Sequence, residues 1–265
     1  MEIPPALRAG NASSKASESN EFASELPPEL NGAQQEVDVE RYYEILYDAP
    51  NSALISAILG ALIGGSLVFL FMYRPQFFQL PLYVVALSVF HFMEYYVTAK
   101  FNSSRVSVDS FLFNNGKAYN IAHGVAMTEA LIEWYFCPQS GKWRYISMAG
   151  FILAVFGQLI RSLAMIQAAS NFSHVIVRSR EPDHRLVQSG VYAFSRHPSY
   201  CGFFYWAVGL QILLLNPISL LGFIVVLWRF FNSRIQDEEA HLIVFFGKDY
   251  VGYRERTPTR IPFIA

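Results

Sequence analysis

From Ser52 to Tyr73 the chain runs for 22 residues without a charged side chain. At about 1.5 Å of rise per residue, a helix of that length spans the roughly 30 Å hydrocarbon core of a bilayer. Only a helix satisfies its own backbone hydrogen bonds there without closing into a barrel. Phe77–Ala99, Tyr119–Phe136 (the weakest) and Ile146–Ala169 read as further spans. After a polar stretch, Pro198–Leu215 and Ile218–Phe231 are two short apolar runs joined at Asn216-Pro217, the pattern of a tightly turned helical hairpin. The expected fold is therefore an all-α integral membrane protein with about six transmembrane helices, the last two a short hairpin. Composition agrees: 15% of residues are charged, against about 25% in soluble domains.

Charge is unevenly spread. Residues 1–50 carry 3 Lys/Arg against 10 Asp/Glu, whereas residues 51–265 carry 17 against 11. Residues 9–40 are rich in Ser, Glu, Asn, Ala and Pro and bury too little apolar surface to offset ordering entropy. Residues 1–45 are accordingly expected to form a disordered acidic tail, with Val39–Tyr47 suited to a short interfacial helix, and residues 46–265 a membrane-embedded domain. With the N-terminus in the cytosol, six spans place 15 basic residues on the cytosolic side and three, Arg74, Lys142 and Arg144, on the other. The positive-inside rule selects that orientation, with both termini cytosolic. It puts Cys137 and Cys201 on opposite faces, reduced and unpaired. No Cys/His cluster suggests a metal, and nothing points to nucleic acid.

Polar groups inside the spans come in helical pairs: His91 with Glu94, Glu129 with Glu133, and Gln158 with Arg161. Such groups are costly in lipid and face the bundle interior. The expected use is an ion pair of Arg161 with Glu129 or Glu133; substrate contact is the alternative. A denser cluster is C-terminal: His184-Arg185-Leu186-Val187, Ser189-Gly190-Val191-Tyr192, then Arg196-His197-Pro198-Ser199-Tyr200-x-Gly202. Pro198 suits the first position of a helix, which leaves the N–H groups of Ser199 and Tyr200 free for a ligand. A second cluster holds Arg229, Arg234, Asp237, Glu238, Glu239 and His241. Arg234 and Glu238 share a helix face and could form an ion pair. The hairpin brings both clusters to one side of the membrane.

These segments resemble the isoprenylcysteine carboxyl methyltransferases. The resemblance rests on Arg196-His197-Pro198-Ser199-Tyr200-x-Gly202, Trp228-Arg229-Phe230-Phe231-x-x-Arg234, Glu238-Glu239, Phe245-Phe246-Gly247-x-x-Tyr250 and Pro258-Thr259-x-Ile261-Pro262-Phe263-Ile264. Upstream, Phe90-His91-x-x-Glu94-Tyr95, Asp109-Ser110-Phe111-Leu112 and Ser170-Asn171-Phe172-x-His174 also match. The resemblance implies a cytosol-facing S-adenosylmethionine pocket within residues 171–265. It implies cofactor contacts from His184, Arg185, Leu186, Val187, Tyr192, His197, Pro198, Ser199, Tyr200 and Glu238, and a catalytic, substrate-binding role for Arg234 toward the carboxylate. It further implies an endoplasmic reticulum enzyme acting, at the lipid boundary, on prenylated proteins such as Ras-type small GTPases. Three positions depart from the family pattern: Arg185 stands where a small polar residue is usual, Arg260 where Gly is common, and Val177 where a polar side chain is frequent.

The chemistry so implied fits the residues. An α-carboxyl has a pKa of about 3.5 and is already ionised at neutral pH, so esterification by a sulfonium methyl needs no general base. An amine N-methyltransferase would need a proton acceptor, which the cationic Arg234 does not supply. An NADPH-dependent sterol reductase would need more basic residues near Tyr250 than Lys248 alone.

Overall fold

The computed structural model of the protein describes residues 32–73, 78–103, 106–113, 116–136, 143–180 and 184–264. The expected disorder of residues 9–31, the turn at Pro75, and the placements of Arg74, Cys137 and Lys142 lie outside the described residues. The chain divides into two units after Ile55. Every regular element among the described residues is helical. Eight α-helices are described: α1 (Gly32–Tyr73), α2 (Gln79–Phe101), α3 (Lys117–Phe136), α4 (Trp143–Ala168), α5 (Val191–Phe194), α6 (Pro198–Leu214), α7 (Pro217–Phe246) and α8 (Lys248–Arg256).

Four segments are long and apolar enough to cross a membrane: Asp48–Tyr73, Gln79–Phe101, Trp143–Asn171 and Pro217–Phe246. They correspond to four of the six expected spans. On length and composition the other two fall short, because α3 carries Lys117, Glu129 and Glu133 and α6 is 17 residues long. α1 begins at Gly32, well before the apolar run. A nucleated helix extends cheaply through good helix formers such as Ala33, Gln34, Gln35 and Glu36, and here it continues across Pro50. The second arm of the hairpin is not short either. α7 runs 30 residues, because no Gly or Pro interrupts residues 223–246 where the sequence turns from apolar to charged.

The bundle is organised by the α4–α6 seam. Gly150 and Gly157 on α4 face Gly209 and Gly202 on α6, each pair seven residues apart and so on one face of its helix. A Cβ at Gly202 would lie 2.6 Å from the Arg161 backbone nitrogen and 2.6 Å from the Gly157 carbonyl oxygen, so only glycine permits this approach. α6 is the innermost helix, with Trp206, Leu210 and Leu213 fully buried. Trp206 stacks on Phe90 of α2 with ring centroids 4.3 Å apart. Leu221, Val225 and Phe230 of α7 remain exposed, an apolar surface suited to lipid.

The buried ions do not pair as expected. Arg161 of α4 binds Glu94 of α2 through two nitrogens, Nη2 reaching Oε2 at 2.9 Å. The guanidinium also lies over the rings of Phe90 and Phe203. α4 packs on α2 and α6, whereas α3 packs on α7, so Glu129 and Glu133 are on the wrong helix for Arg161. Glu129 instead accepts the N–H groups of Ile218 and Ser219, each at 2.7 Å. It caps the start of α7, where free donors and the helix dipole favour an anion. The turn itself has Leu215 in the left-handed region at φ 63. Asn216 closes it by donating to the Ala126 carbonyl of α3 at 2.8 Å.

Candidate functional site

The polar ends of α4, α6 and α7, residues 171–173 and 184–187, and α8 enclose an open pocket of about 700 Å³, solvent at its mouth included. Two cradles of hydrogen bonds build it. Beneath, Glu239 Oε1 accepts from Arg196 Nε at 2.5 Å and His197 Nε2 at 3.0 Å. Arg196 continues to the Thr257 carbonyl through Nη1 at 2.9 Å and to the Pro258 carbonyl through its backbone N–H. The Ser195 hydroxyl donates to the Thr259 carbonyl at 2.6 Å. The C-terminal segment is thereby strapped under the start of α6. Pro198 opens that helix at its first turn, which needs no donor there.

On the other side, the segment carrying His184–Val187 is held by its backbone. Asn171 Oδ1 accepts the Arg185 N–H at 2.8 Å, while the Arg185 side chain is exposed. That explains how arginine stands at a position where a small polar residue is usual. Gln167 Oε1 accepts the Val191 N–H at 2.9 Å and occupies the space a side chain at Gly190 would need. Gly190 has φ 60, a further reason for glycine. The Tyr192 hydroxyl donates to the Ala164 carbonyl at 3.2 Å and the Tyr253 hydroxyl to the Tyr192 carbonyl at 2.6 Å. Burial pushes both phenols above their ordinary range, with the Glu238 carboxylate adding to the effect on Tyr192. Both are donors at neutral pH.

All ten residues expected to contact a cofactor line this one pocket: His184, Arg185, Leu186, Val187, Tyr192, His197, Pro198, Ser199, Tyr200 and Glu238. Lining residues that carried no expected role include Asn171, Phe172, Leu242, Phe246, Tyr250 and Tyr253. Asn171, Phe172, Phe246 and Tyr250 stood inside matched motifs, so their signal was present without a function attached. Glu239 was also missed as a support. In sequence it is the neighbour of Glu238, but the roughly 100° step between successive helix positions points the two carboxylates apart. Ser199 receives Arg161 Nη1 on its hydroxyl at 3.0 Å, which ties the buried ion pair to the pocket floor.

Arg234 stands one helical turn before Glu238, toward the apolar part of α7. The two do not pair directly, contrary to the simplest expectation from their spacing. The Tyr200 hydroxyl intervenes, accepting from Arg234 Nε at 2.8 Å and donating to Glu238 Oε2 at 2.5 Å. Arg234 Nη2 also donates to the His174 carbonyl. One edge of the guanidinium, Nε with Nη2, is thus engaged by protein. Among the described residues nothing accepts from Nη1, and Arg234 itself is not among the residues that line the pocket. Burial holds the His174 imidazole well below the usual histidine range, at about 4, against the partly offsetting pull of Glu94. It is neutral at physiological pH.

Residue 260 accounts for another departure. Arg260 has φ 62, in the left-handed region where a family glycine would sit without strain. The arginine is held there by donating to the Phe194 carbonyl at 3.2 Å and by lying 4.8 Å from the Phe194 ring centroid.

Residues 149–244 match the isoprenylcysteine carboxyl methyltransferase (ICMT) family. The chain is 46% identical over 218 residues to the protein-S-isoprenylcysteine O-methyltransferase of Saccharomyces cerevisiae, covering 80% of this chain and 90% of the yeast protein. It is 42% identical over 224 residues to the enzyme of the same name from Schizosaccharomyces pombe, covering 80% and 94% of the two chains. A solved structure described as a eukaryotic intramembrane Ras methyltransferase, ICMT, superposes with a TM-score of 0.77 at 34% identity, over 86% of this chain and 82% of that one. With identity this high across most of both chains, and the matched motifs converging on one pocket, the chain belongs to the isoprenylcysteine carboxyl methyltransferase family.

Proposed function

We propose that this protein methyl-esterifies the C-terminal isoprenylcysteine carboxylate of prenylated CaaX-type proteins, Ras-type small GTPases among them, with S-adenosylmethionine as donor. The observation that carries the reading is the Arg234 guanidinium, bound through Nε to the pocket-lining Tyr200 and with Nη1 unengaged among the described residues. Its planar fork matches a carboxylate bidentately and stays charged at any physiological pH.

The pocket residues suit the donor. Glu238 has one oxygen engaged by Tyr200, and its other oxygen is available to a cationic sulfonium or ammonium. Tyr192, His197 and Phe246 add aromatic surface for a purine, and the backbone of residues 184–187, fixed by Asn171, offers further polar contacts. When bound, S-adenosylmethionine supplies an electrophilic methyl. The protein's part is to orient the carboxylate on Arg234 and to exclude water, since the nucleophile is already ionised and no base is required. The exposed apolar face of α7 leads to Arg234, so the prenyl chain can stay in lipid while its cysteine reaches the polar rim. Six spans, cytosolic termini and residence in the endoplasmic reticulum complete the reading. They put the pocket where newly prenylated proteins are exposed. Residues 1–45 stand outside the catalytic unit in this scheme.

Arg234→Lys tests it, because lysine keeps the charge and loses the fork. Loss of such a transition-state contact costs about 2–4 kcal/mol, or roughly 30- to 1000-fold in initial rate on acetyl-farnesylcysteine. Affinity for S-adenosylhomocysteine, read by calorimetry, should change far less. A rate within threefold of the unaltered enzyme would refute the clamp.

A further inference from the structure

We infer that the Tyr200 hydroxyl is a positioning group that keeps Arg234 and Glu238 from neutralising each other and so holds the guanidinium edge open for the substrate carboxylate. This rests on the function proposed above for Arg234. Opposite charges four residues apart on one helix attract and ordinarily pair directly. In this protein a hydroxyl from a different helix, α6, stands between them and uses both of its capacities. It accepts from Arg234 Nε at 2.8 Å and donates to Glu238 Oε2 at 2.5 Å.

The hydroxyl cannot drift from that position, because its ring is clamped. Tyr200 stacks on His197 with centroids 5.5 Å apart and planes within 3°, and on Phe231 at 5.2 Å. His197 is in turn fixed by Glu239. The guanidinium is rigid and planar, so fixing Nε on Tyr200 and Nη2 on the His174 carbonyl fixes where Nη1 points. Removing the hydroxyl leaves Nη2 on the His174 carbonyl but releases Nε, so the guanidinium can turn about that remaining bond toward Glu238. That reorientation would withdraw the fork from the carboxylate. Tyr200 thus acts through Arg234, without contacting the reacting atoms itself.

Tyr200→Phe keeps the ring and its stacking while deleting the hydroxyl. In the full-length enzyme in lipid, kcat/KM for acetyl-farnesylcysteine should fall about 10- to 100-fold, with the thermal midpoint unchanged. The deciding measurement is the double-mutant cycle with Arg234→Lys. If Tyr200 works by aiming Arg234, the double variant is no slower than Arg234→Lys alone. Losses that multiply, or a Tyr200→Phe rate within threefold of the unaltered enzyme, would overturn the inference. A silent Arg234→Lys would instead sink the underlying assignment of Arg234. An impaired Arg234→Lys beside a silent Tyr200→Phe would leave that assignment standing and remove only the role given to Tyr200.

Discussion

Glu94→Gln is the change to which the bundle should be most sensitive. Glu94 is fully buried and Arg161 is 6% exposed. The carboxylate takes two of the guanidinium nitrogens, and Nη1 goes to the Ser199 hydroxyl. Glutamine preserves the volume and one acceptor, but it leaves the Arg161 cation unneutralised among Phe90, Phe203 and the α4–α6 seam. Breaking a buried pair by removing one partner costs about 3–5 kcal/mol, because the remaining charge has lost its compensation. For a chain of this size that corresponds to roughly 6–20 °C in thermal midpoint. Adding Arg161→Met to Glu94→Gln removes the stranded charge and should recover most of the loss, since the uncompensated buried cation is the main cost of breaking the pair. The assay is thermal unfolding of purified protein in one lipid composition, for the single and the double variant. A Glu94→Gln midpoint within 2 °C of the unaltered protein (under about 1 kcal/mol) refutes the argument. So does a double variant less stable than the single, which would mean that Arg161 has an independent task.

The remaining predictions concern pH, a strained residue and topology. His174 has its folded pKa held at about 4 by burial, below the unfolded value of about 6.5. The unfolded chain therefore binds the extra proton first, and stability should decline as pH falls from about 6.5 to about 4; His174→Gln should flatten that part of the stability profile. At Arg260, with φ 62, Arg260→Ala loses the contacts to Phe194 and keeps the strain, whereas Arg260→Gly relieves it. The glycine variant should unfold at higher temperature than the alanine variant by the equivalent of about 1 kcal/mol, and the reverse order would show that strain at this position is negligible. In the six-span arrangement a cysteine introduced at Lys142 reacts with an impermeant reagent only from the lumenal side; labelling from the cytosolic side would overturn that topology.

The sequence alone was enough to say that the chain is a helical membrane protein, because long uncharged runs have one solution in lipid. It also marked the ten pocket residues, but only through their resemblance to the motifs of the isoprenylcysteine carboxyl methyltransferases; Pro198 after Arg196-His197 by itself indicates no more than a helix start. It could not say which charges meet. Arg161 lies 67 positions from Glu94, and helical spacing reports only which face a residue occupies, not which helix lies opposite. The packing of α2 against α4 and of α3 against α7 set the neighbour relations, so Glu94 became the partner of Arg161 and Glu129 was left to cap α7. The same limit applies at the site. Residues four apart on α7 read as an ion pair, and only the packing of α6 against α7 brings the Tyr200 hydroxyl between Arg234 and Glu238. Likewise, adjacent glutamates are indistinguishable as letters. The tertiary structure turns Glu238 toward the pocket and Glu239 toward Arg196 and His197, because burial of a carboxylate is tolerable only where donors have converged to meet it.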